Sequence, residues 1–565
     1  MCCPGLHEPE FRYYDFAKDA HQRAARGDAA GAARTWRRCR RTLLDASWDG
    51  VGLRVGETNA KFGAKLRKSP KVHAVDAAIL KGGDVVARAC KDARAEANAR
   101  KNEMKGGPPR PDLAAYSRYL ADFDGRDDLA VPGRPALRVA RFRDQLLALA
   151  SKQRPKRLTI LATDGAAYDY LVKGGEDLRL DDRVEQLFDA MGAALARAGG
   201  AARRRGLAVR TFRVVPLSPR VGLVEWVSRA PTLKAAIAPE LAGGPRVLDD
   251  AKKARNKALK LVHDGGPKDK VWQAPRWRAE AAMAAAHEAL DGDAGALRRH
   301  LCRLAPAPET FLAKRRVYLE TLATASVCGY VVGLGDRHLD NLLLADGDGA
   351  VVHIDMGYAF GTATTALPVP ELIPFRLTRE LRAPLAPLDG DALFADAAET
   401  ALAALRGPRD AAALLALLET FVREPVLDWL DGRDHDSSGL LDDAPTAPTA
   451  AASPPTAVPG RAAPGRAGAG PAAATPEQRV AVARGKLRGA HPVALLVEEL
   501  DRNTNAMFKP MKEQAKAVAR GDPGDARRDV DGDVLDVRDQ VRVLVDLATD
   551  PNCLARHWKG LNLWC

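Results

Sequence analysis

Gly335-Asp336-Arg337-His338-Leu339-Asp340-Asn341 and His353-Ile354-Asp355-Met356-Gly357 are two polar clusters separated by a short apolar stretch. That stretch reads as two strands, Leu342-Leu343-Leu344 and Val351-Val352-His353-Ile354, around the turn-forming run Asp346-Gly347-Asp348-Gly349. A hairpin centred near Asp348 brings its two ends, Asn341 and Asp355, side by side. One amide oxygen and one carboxylate at neighbouring strand ends suit Mg²⁺, a hard cation that takes oxygen ligands and keeps part of its coordination for water and phosphate. Taken singly, each cluster is a surface turn with local ion pairs. Both at matching ends of one hairpin point to a metal-dependent site.

Asp336 lies five residues before Asn341, the Asp-x-x-x-x-Asn spacing of a phosphoryl-transfer loop in which the Asp accepts a hydroxyl proton and the Asn holds a metal. The histidine follows the aspartate here, Asp-Arg-His, where ordinary protein kinases have His-Arg-Asp.

A centre of this kind also needs a cation on the nucleotide phosphates. Leu158 to Lys173 reads as strand, turn and strand, with Thr163-Asp164-Gly165 at the turn and Lys173 closing the second strand. Its ammonium can act as a point charge on phosphate oxygens. Glu176 is placed to pair with it. Val184, Leu187, Phe188, Met191 and Leu195 then recur at helical spacing, with Asp181 or Asp182 expected to cap the first turn. Phe212 to Trp226 reads as two strands with Pro216 to Arg220 as the turn, ending in Glu225-Trp226-Val227. Trp226 offers either an indole face for adenine or ordinary core packing.

Three stretches together resemble the phosphatidylinositol 3-kinase-related protein kinases: Lys173 to Phe188, the Gly333 to Asn341 loop, and Gly357 to Arg379 with its Leu-Pro-Val-Pro-Glu-Leu-Ile-Pro-Phe-Arg-Leu-Thr-Arg ending. Within that family the similarity is strongest to the DNA-dependent branch, running from about Leu137 to Arg379 and again from Pro476 to Cys565. The resemblance implies an α+β, two-lobed protein-kinase-like fold of the PI3/PI4-kinase type. It implies Asp336 as catalytic base, His338 as its partner in the transition state, and Lys173 on the phosphates. Asn341 and Asp355 become the metal ligands, for Mg²⁺ or alternatively Mn²⁺. Leu171, Glu176, Asp181, Trp226, Val227, Leu343 and Ile354 fall around ATP. Met356 stands where the family often has Phe, Tyr358 where it often has His, and Asp340 adds an acid beside the expected metal pair.

The same resemblance divides the chain into a helical FRB-like segment (1–105), a linker (106–136), a small lobe (137–227), a large lobe (228–435), a low-complexity insert (436–475), a helical extension (476–532) and a FATC segment (533–565). The insert is mostly Ala, Pro, Gly, Ser and Thr, with no periodic apolar face, and is expected to be disordered. The tail carries Trp558 and Trp564, either packed near the activation segment or exposed as an anchor.

Gly357 to Pro370 contains neither Lys nor Arg. A lipid kinase needs cations there for an inositol phosphate, so a peptide hydroxyl fits better. Basic runs at Arg203 to Arg205 or Lys252 to Lys260 are the alternative source of headgroup contacts. The resemblance implies Ser or Thr followed by Gln as target, a role in repairing DNA double-strand breaks by end joining, and a nuclear location. A phosphoinositide kinase, a TOR-like nutrient-signalling kinase and an inactive scaffold are the competing readings. The scaffold predicts loss of Asp336, Asn341 or Asp355, and all three are present.

The 565 residues carry 86 Lys and Arg against 73 Asp and Glu, a net charge of +13 that suits a nucleic-acid-associated protein. The eight cysteines form no Cys-x-x-Cys pair, which points to reduced thiols and no zinc site. No apolar run reaches membrane-spanning length, so insertion into a membrane is not expected. Family members are far longer, with helical-repeat arrays ahead of the kinase, and no repeat of solenoid period occurs here. The chain is expected to be a piece or a shortened counterpart of such a protein, without the parts that by resemblance grip DNA ends and the Ku heterodimer.

Overall fold

The structure, a computed structural model, describes residues 6–44, 56–82, 84–103, 110–125, 128–149, 153–260, 272, 274–290, 294–365, 367, 369–423, 475–503, 508–530 and 532–556. These fall into two compact units, the first of residues 6–182 and 212–228, the second of 183–211, 229–423 and 475–556. The low-complexity stretch and both tail tryptophans lie outside the described residues, apart from Thr475.

The first unit begins with five helices: α1 Pro9–Ala25, α2 Ala29–Cys39, α3 Glu57–Leu66, α4 Pro70–Lys81 and α5 Asp84–Glu103. Tyr13, Ala17, Trp36, Cys39, Phe62 and Val75 form their shared core. Asp28 and Ser69 cap α2 and α4, accepting the free amides of the first turn. An antiparallel sheet follows: β1 Ala130–Val131, β2 Arg134–Phe142, β3 Leu147–Ala148, β4 Lys156–Ala162, β5 Ala167–Gly174, β6 Val214–Ser218 and β7 Val221–Glu225. The strand order is β1-β2-β4-β5-β7-β6, with β3 paired to β4. Alternate residues Leu158, Ile160, Tyr170, Val172 and Leu223 point into one core, as the two-residue period of a strand requires.

The structure departs from two local expectations of the sequence. Pro216 lies inside β6, and the turn is reduced to Pro219 and Arg220. Because β6 is the edge strand and its register shifts between Pro216 and Ser218, the absent proline N–H costs no ladder bond. The helix after β5 starts at Arg179, so Asp181 and Asp182 sit within its first turn and do not precede it. Asp177 takes the Arg179 amide at 3.1 Å instead. The two acids still favour the positive end of the helix dipole.

In the second unit the helix Pro308–Val332 is buried along most of its length, with Tyr318, Leu322, Val327 and Cys328 inside. The helix Gly390–Leu405 packs against it and buries Phe394, Ala397 and Ala401. Gly333 ends the long helix in the left-handed conformation (φ 70°), which a Cβ would disfavour. The chain leaves this cap directly into Leu334-Gly335-Asp336. The hairpin comprises β8 Leu342–Leu344 and β9 Val351–His353, with Leu342 opposite His353. Lys314 of the long helix donates to the carbonyl of Asp346 at 2.6 Å and so holds the turn. A second core joins Leu372 to Leu496, Leu500, Phe508, Val543 and Leu547, so the helix Val537–Thr549 shares apolar packing with the segment after Gly357. No described helix is long and apolar enough to cross a membrane.

Candidate phosphoryl-transfer site

The loop after the long helix is shaped by backbone bonds to the segment that follows β9. Gly335 N–H donates to Tyr358 O at 2.9 Å, Phe360 N–H to Val332 O at 2.9 Å, and Gly361 N–H to Gly333 O at 2.9 Å. Both clusters thereby become one object. Within it Asp336, Asp355 and Phe360 all adopt positive φ near 60°. Non-glycine residues take that conformation at a cost of order 1–3 kcal/mol and keep it only where the surroundings over-determine it.

The carbonyl of Asp336 accepts from His338 N–H and from Asn341 Nδ2, each at 2.9 Å. The Asn341 amide nitrogen is thereby engaged and its oxygen turned away from that contact, the orientation a cation ligand needs. Ile354 N–H meets Asn341 O at 3.0 Å, so Asn341 and Asp355 do lie at adjacent strand ends. Asn341 is buried, while Asp355 is exposed. Among the described residues there is no group of three or more His, Cys, Asp and Glu side chains arranged to enclose a metal. Two oxygen ligands on an open edge fit a cation that completes its shell with water and phosphate.

His338 accepts the Asp340 amide at Nδ1 (3.1 Å), which leaves the proton on Nε2, 4.0 Å from Asp336 Oδ2. Burial pushes the Asp336 carboxyl up and the His338 imidazole down, with their mutual attraction opposing both changes. The Asp340 carboxylate lies 3.6 Å from Lys234 Nζ and 3.5 Å from Thr232 Oγ1, which gives the added acid a cationic partner. Leu343 is buried in β8 and Ile354 half-buried after β9.

Two residues that sequence reasoning passed over organise this loop. Arg337 is 5% exposed and donates Nε to Gly335 O (2.8 Å), Nη1 to Ile354 O (2.8 Å) and Nη2 to Asp355 O. Its position between Asp336 and His338 was visible in the sequence, but not that it points inward. Glu371, buried, accepts the Asp336 amide at 2.8 Å, and burial pushes its carboxyl up to about 7. An acid inside the apolar run Pro370-Glu371-Leu372-Ile373-Pro374 was the signal available.

Two buried cations support the same segment from the helix Pro476–Arg488. Arg479 Nη1 donates to Phe360 O at 2.8 Å, and Lys486 Nζ to Tyr330 O at 2.8 Å. Burial lowers the pKa of both, and the nearby Glu499 carboxylate opposes that.

In the first unit Lys173 sits on β5 opposite Gly222, 3.8 Å from Glu176 Oε1. Leu171 pairs with Val224 in the same register. Trp226 N–H donates to Asp169 O at 2.8 Å, and the Arg157 guanidinium lies 5.4 Å from the indole centre. One indole face is thus taken by a cation. Val227 is half-buried beside it, and Asp181 is buried in its helix turn.

Residues 167–431 match the family model for phosphatidylinositol 3- and 4-kinase. The DNA-dependent protein kinase catalytic subunit of Dictyostelium discoideum is 31% identical over 498 residues, 82% of this chain and 11% of that protein. This chain belongs to the phosphatidylinositol 3-kinase-related kinases. The DNA-dependent protein kinase catalytic subunit of Xenopus laevis is 32% identical over 494 residues, again 82% of this chain and 11% of the relative. Serine/threonine-protein kinase TOR of Arabidopsis thaliana is 33% identical over 311 residues, 54% of this chain and 12% of its own. Among solved structures, the open conformation of CtTel1 aligns with a TM-score of 0.51 at 20% identity, over 98% of this chain and 18% of that one, a likeness of fold. The α+β kinase fold expected from the sequence is therefore the fold of a phosphatidylinositol 3-kinase-related kinase. The chain spans about a ninth of the length of the relatives it matches.

Proposed function

We propose that this chain carries the catalytic centre of an ATP-dependent serine/threonine protein kinase. The observation that supports it most is the single hydrogen-bonded loop in which Asn341 and Asp355 occupy adjacent strand ends, with Asp336 held left-handed beside them. A bound Mg²⁺ would neutralise charge on the phosphates and be held by Asn341 and Asp355. Asp336 accepts the proton of the substrate hydroxyl, and its raised pKa brings it nearer to the range useful for that task. His338 presents Nε2–H towards the same carboxylate. Lys173 serves the phosphates with Glu176 as its partner, while Leu171, Trp226, Val227, Leu343 and Ile354 serve the adenine.

For the substrate we favour Ser or Thr followed by Gln, in the manner of a DNA-repair kinase acting in the nucleus. This rests on the similarity to DNA-dependent protein kinase catalytic subunits over four fifths of the chain and on the absence of Lys and Arg from 357–370. Similarity to TOR over half the chain supports a nutrient-signalling kinase as the second reading. On the DNA-repair reading, contacts to DNA ends or to Ku would lie in parts of the relatives that this chain does not match.

The test is transfer of phosphate from ATP in Mg²⁺, offered in parallel to a Ser-Gln peptide, a peptide without Gln, and phosphoinositide vesicles. The expected result is transfer to the Ser-Gln peptide, falling at least about 10²-fold in Asp336→Ala. Transfer to the vesicles alone, or an Asp336→Ala variant as active as wild type, overturns the proposal.

A further inference from the structure

Asp336 sits in left-handed backbone, a conformation open to aspartate but costlier than ordinary backbone angles, so contacts that hold it there matter. Its amide proton goes to a side chain from far along the sequence, Oε2 of Glu371 at 2.8 Å. Glu371 is itself fixed from both sides: its N–H donates to Ala363 O at 3.3 Å, and its carbonyl accepts Thr364 Oγ1 at 3.1 Å. The next residue, Leu372, is anchored in the apolar core shared with Leu496, Leu500 and Leu547.

Gly335 makes room for this contact. A Cβ at that position would lie 2.3 Å from Glu371 Oε2 and 2.3 Å from the Ala363 methyl. The carboxylate pays for its burial with a pKa near 7, so apolar packing alone does not explain a glutamate there. Arg337 and Arg376 are the cations that oppose this rise, and the carboxylate of Asp336 adds to it.

We infer that Glu371 is a positioning residue that makes the docking of the 369–379 segment a condition for holding Asp336 in its working conformation. The inference rests on the proton-accepting role proposed for Asp336. When the segment is docked, the Glu371 oxygen fixes the Asp336 amide and hence the direction of its carboxylate. When it is displaced, Asp336 is released towards ordinary backbone angles.

The experiment uses the full chain with Mg²⁺, ATP and a Ser-Gln peptide, comparing wild type, Glu371→Ala, Glu371→Gln and Gly335→Ala. Glu371→Ala is expected to lower kcat about 10- to 100-fold, the usual effect of removing a supporting partner, with the KM for ATP within about twofold. Glu371→Gln keeps an acceptor oxygen and is expected to recover most of that loss. Hydrogen–deuterium exchange at residues 335–337 should quicken in Glu371→Ala and not in Glu371→Gln. If Glu371→Ala does not fold, Gly335→Ala, which displaces the same oxygen, should show the same fall in kcat and the same faster exchange. Unchanged kcat in folded Glu371→Ala, or equal loss in the alanine and glutamine variants, overturns the inference. Full activity in Asp336→Ala instead overturns the proton-acceptor reading, and the exchange data then still decide whether Glu371 holds the loop.

Discussion

Replacing Arg337 by Ala should loosen the candidate site while leaving most of the second unit intact. Its guanidinium is 5% exposed and meets three close carbonyls, those of Gly335, Ile354 and Asp355, and a more distant one, Asn341 O at 3.4 Å, which together belong to both clusters. A charged hydrogen bond contributes about 1.5–3 kcal/mol when its partners are shielded, and less where water can replace it. Asp355 is exposed, so water can reach part of the vacated space. Taking about 1 kcal/mol for each of the three close carbonyls, and nothing for the long contact to Asn341 O, gives roughly 3 kcal/mol of local stability. At 1.36 kcal/mol per decade that is about a hundredfold in the opening equilibrium. Hydrogen–deuterium exchange followed by mass spectrometry should therefore show peptides covering 335–341 and 353–358 exchanging about a hundredfold faster. Peptides from the helix Gly390–Leu405 should be unchanged. Arg337→Lys should rescue little, because one ammonium cannot span three carbonyls in the fork geometry. Unaltered exchange in both loop peptides of a folded Arg337→Ala protein would refute the reasoning.

His353 gives a pH test. Burial, with a smaller contribution from Arg337, lowers its pKa from 6.5 to about 3, so the folded state holds it neutral and binds fewer protons than the unfolded state between those values. Its contribution is present above about pH 6.5 and is lost as pH falls towards 3, on the order of 5 kcal/mol in full. Glu371 acts in the opposite sense between 4.5 and about 7, so the comparison is between wild type and His353→Gln. The melting midpoint of the variant should fall less between pH 7 and pH 5, and equal slopes would sink the assignment. Gly349, at φ 84° with Lys314 O 2.8 Å from where a Cβ would stand, should lose about 2 kcal/mol on change to Ala, read as a lower melting midpoint. Asp340→Asn should leave Mg²⁺ affinity within about threefold and stability within about 1 kcal/mol, since its carboxylate is half-exposed and partnered by Lys234. Asn341→Ala and Asp355→Ala should each raise the Mg²⁺ needed for half-maximal activity about tenfold or more, measured by metal titration.

The hairpin, its turn and the side-by-side placement of Asn341 and Asp355 were legible because they follow from short-range rules: strand periodicity, glycine turns and the two-residue register. The strand pair ending at Lys173 was legible for the same reason. Pro216 misled because a proline reads as a turn until the strand is known to lie at an edge. Arg337 and Glu371 were not recognised because their partners are set by long-range contacts, with Glu371 meeting Asp336 across 35 residues. The left-handed backbone of Asp336, Asp355 and Phe360 carries little mark in the sequence, since aspartate takes it at only a minority of its positions and phenylalanine rarely.

The bonds from Arg479 and Lys486 to the carbonyls of Phe360 and Tyr330 also set an order of events during synthesis. A ribosome delivers the loop and its hairpin first, and more than a hundred residues must emerge before the helix Pro476–Arg488 can reach them. At typical elongation speeds this interval is on the order of ten seconds. Throughout it, the Phe360 carbonyl and the left-handed turn beneath it lack the cation that holds them in the finished protein. The nascent chain therefore passes through a stage in which residues 229–423 of the second unit have been made while its candidate catalytic loop still lacks these two contacts.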